Sequence, residues 1–82
     1  MKIDIRYFAS VREALGTGET VETQAATLAD LRDELIARGG LHASALARGK
    51  AVRMALDQVM KPESAALHEG SEVAFFPPVT GG

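Results

Sequence analysis

The sequence predicts one α+β domain in which a mixed β-sheet packs on a single main helix. Apolar and polar residues alternate in the first segment and again near the C-terminus, whereas the leucines of one central segment recur with helical spacing. All four aromatic residues lie in the first and last predicted strands, which indicates that these strands form the centre of the sheet. A chain of 82 residues has room for one such core, so residues 1–82 are expected to form a single domain.

The first strand is predicted over residues 2–8. Ile3, Ile5 and Tyr7 alternate with polar residues and are expected to face the core, whereas Phe8 falls on the opposite face. The alternation also fixes the register of the strand, because a shift by one residue would exchange its two faces.

A short helix is predicted next, over residues 10–15. Ser10 is expected to cap this helix, with Glu13 at the third position after it, and Gly16 ends it. The segment 19–23 is predicted to be the second strand.

The main helix is predicted to begin at Thr27. Threonine is a good N-cap residue, and Asp30 occupies the position that completes a capping box. Gly39 and Gly40 are expected to end the helix. Its core-facing leucines are Leu28, Leu31 and Leu35. Arg32 is expected to lie off this apolar stripe.

The second half of the chain adds shorter elements. They are a short helix over residues 41–48, a third strand over 52–56, a turn at 57–58, a strand stub at 59–60, one helical turn within 62–67 and a last strand over 72–76. Alternation in the third strand directs Leu56 inward and Arg53 and Ala55 outward. In the last strand, Val73 and Phe75 are expected to face the core.

This order of elements, ββαββ with a short extra helix, favours a ubiquitin-like β-grasp fold. In that arrangement the first and last strands are the central, parallel pair of a mixed sheet, and the main helix packs on one face. The concentration of aromatic residues in these two strands agrees with this prediction.

The composition excludes several classes of protein. The chain has no cysteine, which removes disulfides, thiol nucleophiles and cysteine-based metal clusters. Nine basic and 11 acidic residues give a net charge of −2, and the cations are scattered, which argues against nucleic acid binding. No apolar run reaches the ~18 residues of a membrane span, and the N-terminus lacks a signal peptide's apolar block, so we expect a cytoplasmic protein.

The sequence gives no sign of a catalytic centre. The serines lack the context of a nucleophile elbow, and no glycine-rich phosphate loop is present. His42 and His68 are expected to be exposed or satisfied by ordinary hydrogen bonds. We therefore expect neither a catalytic side chain nor a metal site in this domain.

Residues 77–82 are predicted to form an extended, flexible C-terminal tail. Pro77 and Pro78 end the last strand because neither offers an N–H, and they keep the base of the tail extended. Gly81 and Gly82 lack a Cβ, so a narrow partner channel can close around them. The six residues span roughly 20 Å, which would carry the terminal carboxylate into a partner. That carboxylate becomes electrophilic only after activation, for example by ATP as an acyl-adenylate.

The chain resembles the MoaD family of ubiquitin-like sulfur carriers, which are the small subunits of molybdopterin synthase. The resemblance is carried by residues 7–9, 11–13 and 55–58. It is most specific over residues 69–82, which read EGSEVAFFPPVTGG. Asp57 departs mildly from the family, which usually has asparagine at this turn.

The resemblance implies a carrier that is not an enzyme by itself and binds no cofactor. Gly82 would be adenylated by an E1-like enzyme that uses ATP, and a sulfurtransferase system would then convert it to a thiocarboxylate. The charged carrier would donate its sulfur to a pyranopterin precursor in the large subunit of the synthase, forming the molybdopterin dithiolene. In the family the synthase is a heterotetramer, with two carriers at the ends of a large-subunit dimer.

Candidate binding residues lie beside the tail. Phe8 and Phe76 face away from the predicted core and are expected to form an exposed docking patch, unless the helix over 41–48 covers them. Arg12, within the resembling segment 11–13, is assigned to the same partner contact. The residues expected in the partner channel are Pro77, Pro78, Val79, Thr80 and Gly81.

Three other functions remain open at this point. The same terminal chemistry serves carriers for thiamine synthesis or tRNA thiolation, and a ubiquitin-like modifier would join Gly82 to a lysine through an isopeptide bond. A plain β-grasp interaction module would leave the terminal glycine pair unexplained.

Overall fold

A computed structural model describes residues 1–78 of the chain. Its elements, in chain order, are β1 (Lys2–Tyr7), α1 (Ala9–Leu15), β2 (Gly18–Glu22), α2 (Leu28–Ile36), α3 (Gly40–Leu46), β3 (Arg53–Leu56), β4 (Val59–Met60) and β5 (Glu72–Phe76). The five strands form one sheet in the order β2-β1-β5-β3-β4. β1 and β5 pair in parallel at its centre, and the other pairs are antiparallel. The predicted β-grasp topology is confirmed, with three helices in the described part of the chain.

The core lies between the sheet and its helices. Ile5 in β1 lies opposite Val73 in β5, and Tyr7 lies opposite Phe75, with the two rings stacked at a centroid distance of 6.1 Å. The residues predicted to face the core are all buried, namely Ile3, Ile5, Tyr7, Leu28, Leu31, Leu35, Leu56, Val73 and Phe75. The alternation therefore predicted both the register of β1 and β5 and the buried face of α2.

The two predicted helix caps have different outcomes. Thr27 caps α2 as predicted, because its hydroxyl accepts a hydrogen bond of 3.2 Å from the backbone N–H of Asp30. The prediction of Ser10 as the cap of α1 is wrong. Phe8 holds that position, and no side chain caps the helix. Ala9 has a φ of 52°, so the chain turns directly out of β1 and the helix begins before Ser10 can act as its cap.

The helical turn predicted within residues 62–67 is present only as a single hydrogen-bonded turn, in which the N–H of Ala65 donates to the carbonyl of Pro62 at 3.0 Å. The carbonyls of Glu63 and Ala65 accept hydrogen bonds from the N–H groups of Ala29 and Leu28, at 2.9 and 3.1 Å. These donors belong to the first turn of α2, where N–H groups have no partner within the helix. The carbonyls of Glu63 and Ala65 are therefore used by the N-terminus of α2, and the single turn does not continue into a helix.

Arg32 is buried, with 4% of its surface exposed, although the sequence placed it off the apolar stripe. It follows Leu28 by one helical turn, so its stem joins the buried face of α2. Its Nε donates to the carbonyl of Leu46 at 2.8 Å, and its NH2 donates to the carbonyls of Ala47 and Lys50 at 2.8 and 3.1 Å. One guanidinium thus binds the end of α3 and the loop that leads to β3.

We predict that Arg32→Met lowers the free energy of unfolding by about 2–4 kcal/mol, because it leaves several carbonyls without a donor in a buried site. Urea denaturation measures the loss. Arg38→Met is the matched control, since Arg38 forms a partly exposed ion pair with Glu19 and is expected to contribute less than about 1 kcal/mol. Equal losses in the two variants would contradict this role for Arg32.

Candidate functional site

The outer face of the sheet, away from the helices, carries a row of side chains across four strands. Ala74 in β5 lies opposite Arg6 in β1 and Ala55 in β3, and Ala55 lies opposite Met60 in β4. Residues paired across strands point to the same face of a sheet. The row therefore has an arginine at one end and an exposed methionine at the other. The two alanines between them have short side chains, so the surface is concave in the middle of the row.

Phe8 and Phe76 lie at the end of this face from which the C-terminal segment leaves. The N–H of Phe8 donates to the carbonyl of Phe75 at 3.1 Å, which places Phe8 beside the end of β5. Phe8 is 47% exposed, and Phe76 is half-buried. Together with Pro77 and Ala74 they line an open concavity of about 700 Å³. We call this outer surface the docking face and define it by Phe8, Ala55, Met60, Ala74 and Phe76.

The structure does not support coverage of the docking face by the short helix. α3 packs against α1 and α2, on the opposite side of the sheet. Among residues 1–78, those lining the concavity beside Phe8 and Phe76 include none from α3. Two aromatic rings and an apolar strip therefore remain accessible beside the point where the tail begins.

A turn at Asp57 and Gln58 supports the docking face from its edge. Both residues have positive φ, at 50° and 70°, as a tight two-residue hairpin turn requires. The N–H of Asp57 donates to the carbonyl of Glu72 at 2.8 Å, and the N–H of Glu72 donates to Oδ1 of Asp57 at 2.9 Å. The Asp57 carboxylate thus acts as a backbone carbonyl would and fixes the turn to β5. Gln58 then lines the same concavity as Phe76.

The charge of Asp57 is stabilised in the folded state. The N–H of Glu72 lowers the pKa of Asp57, and the His68 imidazole, whose Nε2 lies 2.9 Å from Oδ2, lowers it further. His68 thus makes an ordinary polar contact with Asp57 at the surface.

His42 belongs to a second polar cluster, on the helix side of the sheet. The hydroxyl of Tyr7 donates to Glu19 at 3.0 Å, Arg38 donates to Glu19 at 2.8 Å, and His42 lies 3.4 Å from it. Burial raises the pKa of Tyr7 well above its usual value. Burial also acts to raise the pKa of Glu19, but hydrogen bonds from Arg38, Tyr7 and His42 outweigh it and lower that pKa. The cluster ties β2 to the helices and has a structural role.

The predicted tail is described as far as its two prolines. Strand pairing ends at Phe76, as predicted, and Pro77 and Pro78 follow it. The assignments to Val79, Thr80, Gly81 and Gly82 fall outside the described residues. Arg12 is exposed on α1, and within residues 1–78 it is not among those lining the concavity beside Phe76. The structure therefore brings Phe8, Phe76 and Pro77 together around the concavity, whereas Arg12 is joined to Phe8 only through its backbone N–H, at 3.3 Å from the Phe8 carbonyl.

Sequence reasoning missed several residues of the docking face. The sequence pattern assigns no function to Ala74 or Met60, and it directs Ala55 outward without giving it a role in binding. The alternation of apolar and outward-facing residues in β3 indicates that Ala55 lies on the outer face of the sheet. The strand order was also needed, because it places β3 and β4 next to the half of β5 that carries Phe76.

Over residues 1–78, no group of three or more histidine, aspartate or glutamate side chains is placed to hold a metal ion. No helix in that range has the length and apolarity needed to cross a membrane.

Comparison with known proteins identifies clear relatives. A profile described as the ThiS family matches residues 5–82. The chain is 42% identical over 81 residues to a protein of Escherichia coli named molybdopterin synthase sulfur carrier subunit, with 98% of this chain and 99% of the relative covered. A protein of the same name from Haemophilus influenzae is 38% identical with the same coverage.

Solved structures with the same fold include a Pyrococcus furiosus protein described as a putative molybdopterin converting factor, subunit 1. It superposes with a TM-score of 0.78 at 27% identity, over 96% of this chain and 99% of that one. A Helicobacter pylori structure is described as a complex of subunits 1 and 2 of molybdopterin-converting factor. The matching chain has a TM-score of 0.68 and 25% identity, with both chains fully covered.

We predict that Asp57→Asn weakens the pH dependence of folding stability. The pKa of Asp57 is lowered in the folded state, so its charge contributes stability above the unfolded pKa of about 4, and this contribution is lost as the pH falls through the folded value. Asparagine tolerates positive φ and keeps an acceptor oxygen but has no charge. Urea denaturation at a series of pH values from 6 to 2 should show the two stability curves converging at acid pH. Parallel curves would contradict the prediction.

Proposed function

The chain belongs to the ThiS family, and from this premise we propose that it carries sulfur for the biosynthesis of molybdopterin. The observation that carries the proposal is the near full-length similarity, at 36–42% identity, to three proteins named molybdopterin synthase sulfur carrier subunit. The exposed docking face beside the root of the tail supports it physically, because a carrier needs a surface that partners bind and an end that reacts.

The reactive group proposed is the terminal carboxylate of Gly82. A carboxylate oxygen attacks the α-phosphorus of ATP in an E1-like adenylating enzyme, giving an acyl-adenylate and releasing pyrophosphate. A sulfurtransferase system then supplies a sulfur nucleophile that displaces AMP and leaves a thiocarboxylate. Glycine suits both steps, since the absence of a Cβ lets the enzyme approach the carbonyl closely.

The acceptor proposed is a pyranopterin precursor held by the large subunit of the synthase. The docking face, through Phe8 and Phe76, binds that subunit, and Arg12 adds a contact from α1. Pro77, Pro78, Val79, Thr80 and Gly81 occupy the channel that leads to the precursor. The Helicobacter pylori complex of two subunits supports such a pairing. By analogy with the family, two carriers bind at the ends of a large-subunit dimer and form a heterotetramer.

In this scheme the chain is a substrate-like subunit of a sulfurtransferase, and the catalytic side chains belong to the large subunit. The chain's own residues position the tail: β5 directs it, Pro77 and Pro78 keep its base extended, and the docking face orients the domain. ATP is used by the activating enzyme, and the setting proposed is the cytoplasm. Transfer to thiamine or tRNA pathways, or conjugation to lysine, are the competing outcomes of the same activated terminus.

We predict that Phe76→Ala weakens binding to the large subunit by more than about 1 kcal/mol, at least a fivefold rise in Kd, because a large aromatic contact is lost. Isothermal titration calorimetry measures the change, and a thermal melt of the variant checks that it folds. Gln24→Ala is the control, because Gln24 is exposed and lies beside Met1, at the opposite end of the central strand pair from Phe76. Equal effects of the two substitutions would remove the docking face from the proposal.

Deletion of Gly82 tests the terminal chemistry. It moves the carboxyl group by ~3.3 Å, and misplacements of about 1 Å already cost about 100-fold in rate. We expect the deleted chain to fold, to bind the large subunit through Phe76, and to support neither adenylation nor dithiolene formation in a reconstituted synthase. Gly81→Ala should fold and be impaired in transfer. Normal product formation by the deleted chain, supplied as a chemically prepared thiocarboxylate, would overturn the mechanism.

A further inference from the structure

A second concavity, of about 480 Å³, lies beside the docking face at the edge formed by β3 and β4. Val52, Met54 and Met60 give it an apolar wall, and the cationic side chains of Arg53 and Lys61 also line it. We call this surface the basic edge. The proposed function assigns no partner contact to the basic edge. The basic edge and the docking face share one residue, Met60.

Among the nine lysine and arginine side chains of residues 1–78, four form ion pairs and five do not, and Arg53 and Lys61 are two unpaired cations that line the same concavity. The ion pairs join Arg6 to Asp4 and Glu72, Arg32 to Glu63, Arg38 to Glu19, and Arg48 to Asp33 and Glu63. Within residues 1–78, neither Arg53 nor Lys61 forms an ion pair, and both are exposed. An acidic protein, with a net charge of −2, therefore keeps two neighbouring cations without carboxylate partners at this edge.

Glu63, which also lines the basic edge, does not neutralise these cations. Its carboxylate is bound by the Arg48 guanidinium and lies 3.8 Å from NH1 of Arg32. The hydrogen bond that Arg48 donates to Glu63 raises the pKa of Arg48, so this pair stays ionised together. The charge of the basic edge is therefore positive, and its cations face solvent.

The position of the basic edge connects it to the tail. Arg53 lies directly opposite Phe76 in the β3–β5 pair, and Phe76 is the residue that precedes Pro77. Met60 is 57% exposed and lines the basic edge, so apolar surface continues from the docking face to this edge. A partner that encloses the tail and covers Phe76 must therefore pass over Arg53.

We propose that the basic edge binds an acidic segment of the large subunit, with carboxylates against Arg53 and Lys61 and an apolar side chain between Val52 and Met60. This inference rests on the proposed function, because it assumes the large subunit as the partner. Charge complementarity favours an acidic protein segment over nucleic acid, since two cations on a net acidic chain cannot neutralise a phosphate backbone. Rim charges of this kind act mainly on the rate of association and on its salt dependence.

The first test compares charge reversals in the full chain. Arg53→Glu and Lys61→Glu are expected to lower the association rate constant for the large subunit about 5–10-fold at low ionic strength. Lys2→Glu is the matched control: it causes the same change in net charge, and Lys2 is exposed at the start of β1, at the opposite end of the central pair from Phe76. We expect less than about a twofold effect there, and all rates should converge near 1 M salt, where the screening length is about 3 Å.

The second test uses the unaltered chain, so it does not depend on the folding of a variant. A carbodiimide joins an amine to a carboxylate only where the two are in contact, and mass spectrometry locates the new amide. We expect the complex with the large subunit to give a cross-link from Lys61 to an aspartate or glutamate of that subunit, and none from Lys2.

Arg53→Lys should keep a wild-type association rate, because it keeps the charge.

The outcomes separate this inference from the proposed function. If the unaltered chain does not bind the large subunit at all, the proposed function fails. If it binds, while the three charge reversals have equal effects and Lys61 gives no cross-link to the large subunit, the basic edge is not part of the interface and the proposed function stands. Cross-links from Lys61 only to a second copy of the chain, or binding that depends on added RNA, would also overturn the acidic partner segment.

Discussion

The parallel pairing of β1 with β5 is the constraint on which the rest of the structure depends. Tyr7 opposite Phe75 puts both rings into the core, and the period of two then directs Phe8 and Phe76 outward together. A slip of one residue in either strand would bury one member of the outer pair and expose a core ring. The same hydrogen-bonded ladder therefore holds the hydrophobic core and places two aromatic side chains beside the root of the tail.

The remaining elements hold that central pair in place through contacts made far apart in sequence. The Asp57 carboxylate fixes the β3–β4 turn to β5, and Arg32 binds the end of α3 and the loop before β3. The carbonyls of Glu63 and Ala65 satisfy the first turn of α2. A domain with so small a core gains rigidity from such polar contacts. This matters for function, because a tail positions its end accurately only if its root is fixed.

Features with a local cause could be predicted from the sequence, and features that depend on strand order could not. Alternation alone identified the buried faces of β1 and β5, and helical spacing with Thr27 identified α2. The burial of Arg32 was missed because the carbonyls of Leu46, Ala47 and Lys50 reach it only after α3 packs on α2. The prediction that Ser10 caps α1 was wrong because Ala9 adopts a positive φ, which is uncommon for alanine and is not indicated by the sequence. In the same way, the proposed role of Arg53 in partner binding depends on the strand order, which places Arg53 opposite Phe76.

The central claim is that Gly82 is a sulfur carrier's reactive end, and intact mass spectrometry tests it most directly. The chain is incubated with ATP, the activating enzyme and a sulfur donor, and its mass is compared with that of a sample without ATP. We predict a gain in mass equal to the exchange of one oxygen for one sulfur, located by fragmentation at Gly82 and absent without ATP. An unchanged mass, or a series of lysine conjugates in place of the thiocarboxylate, would contradict it.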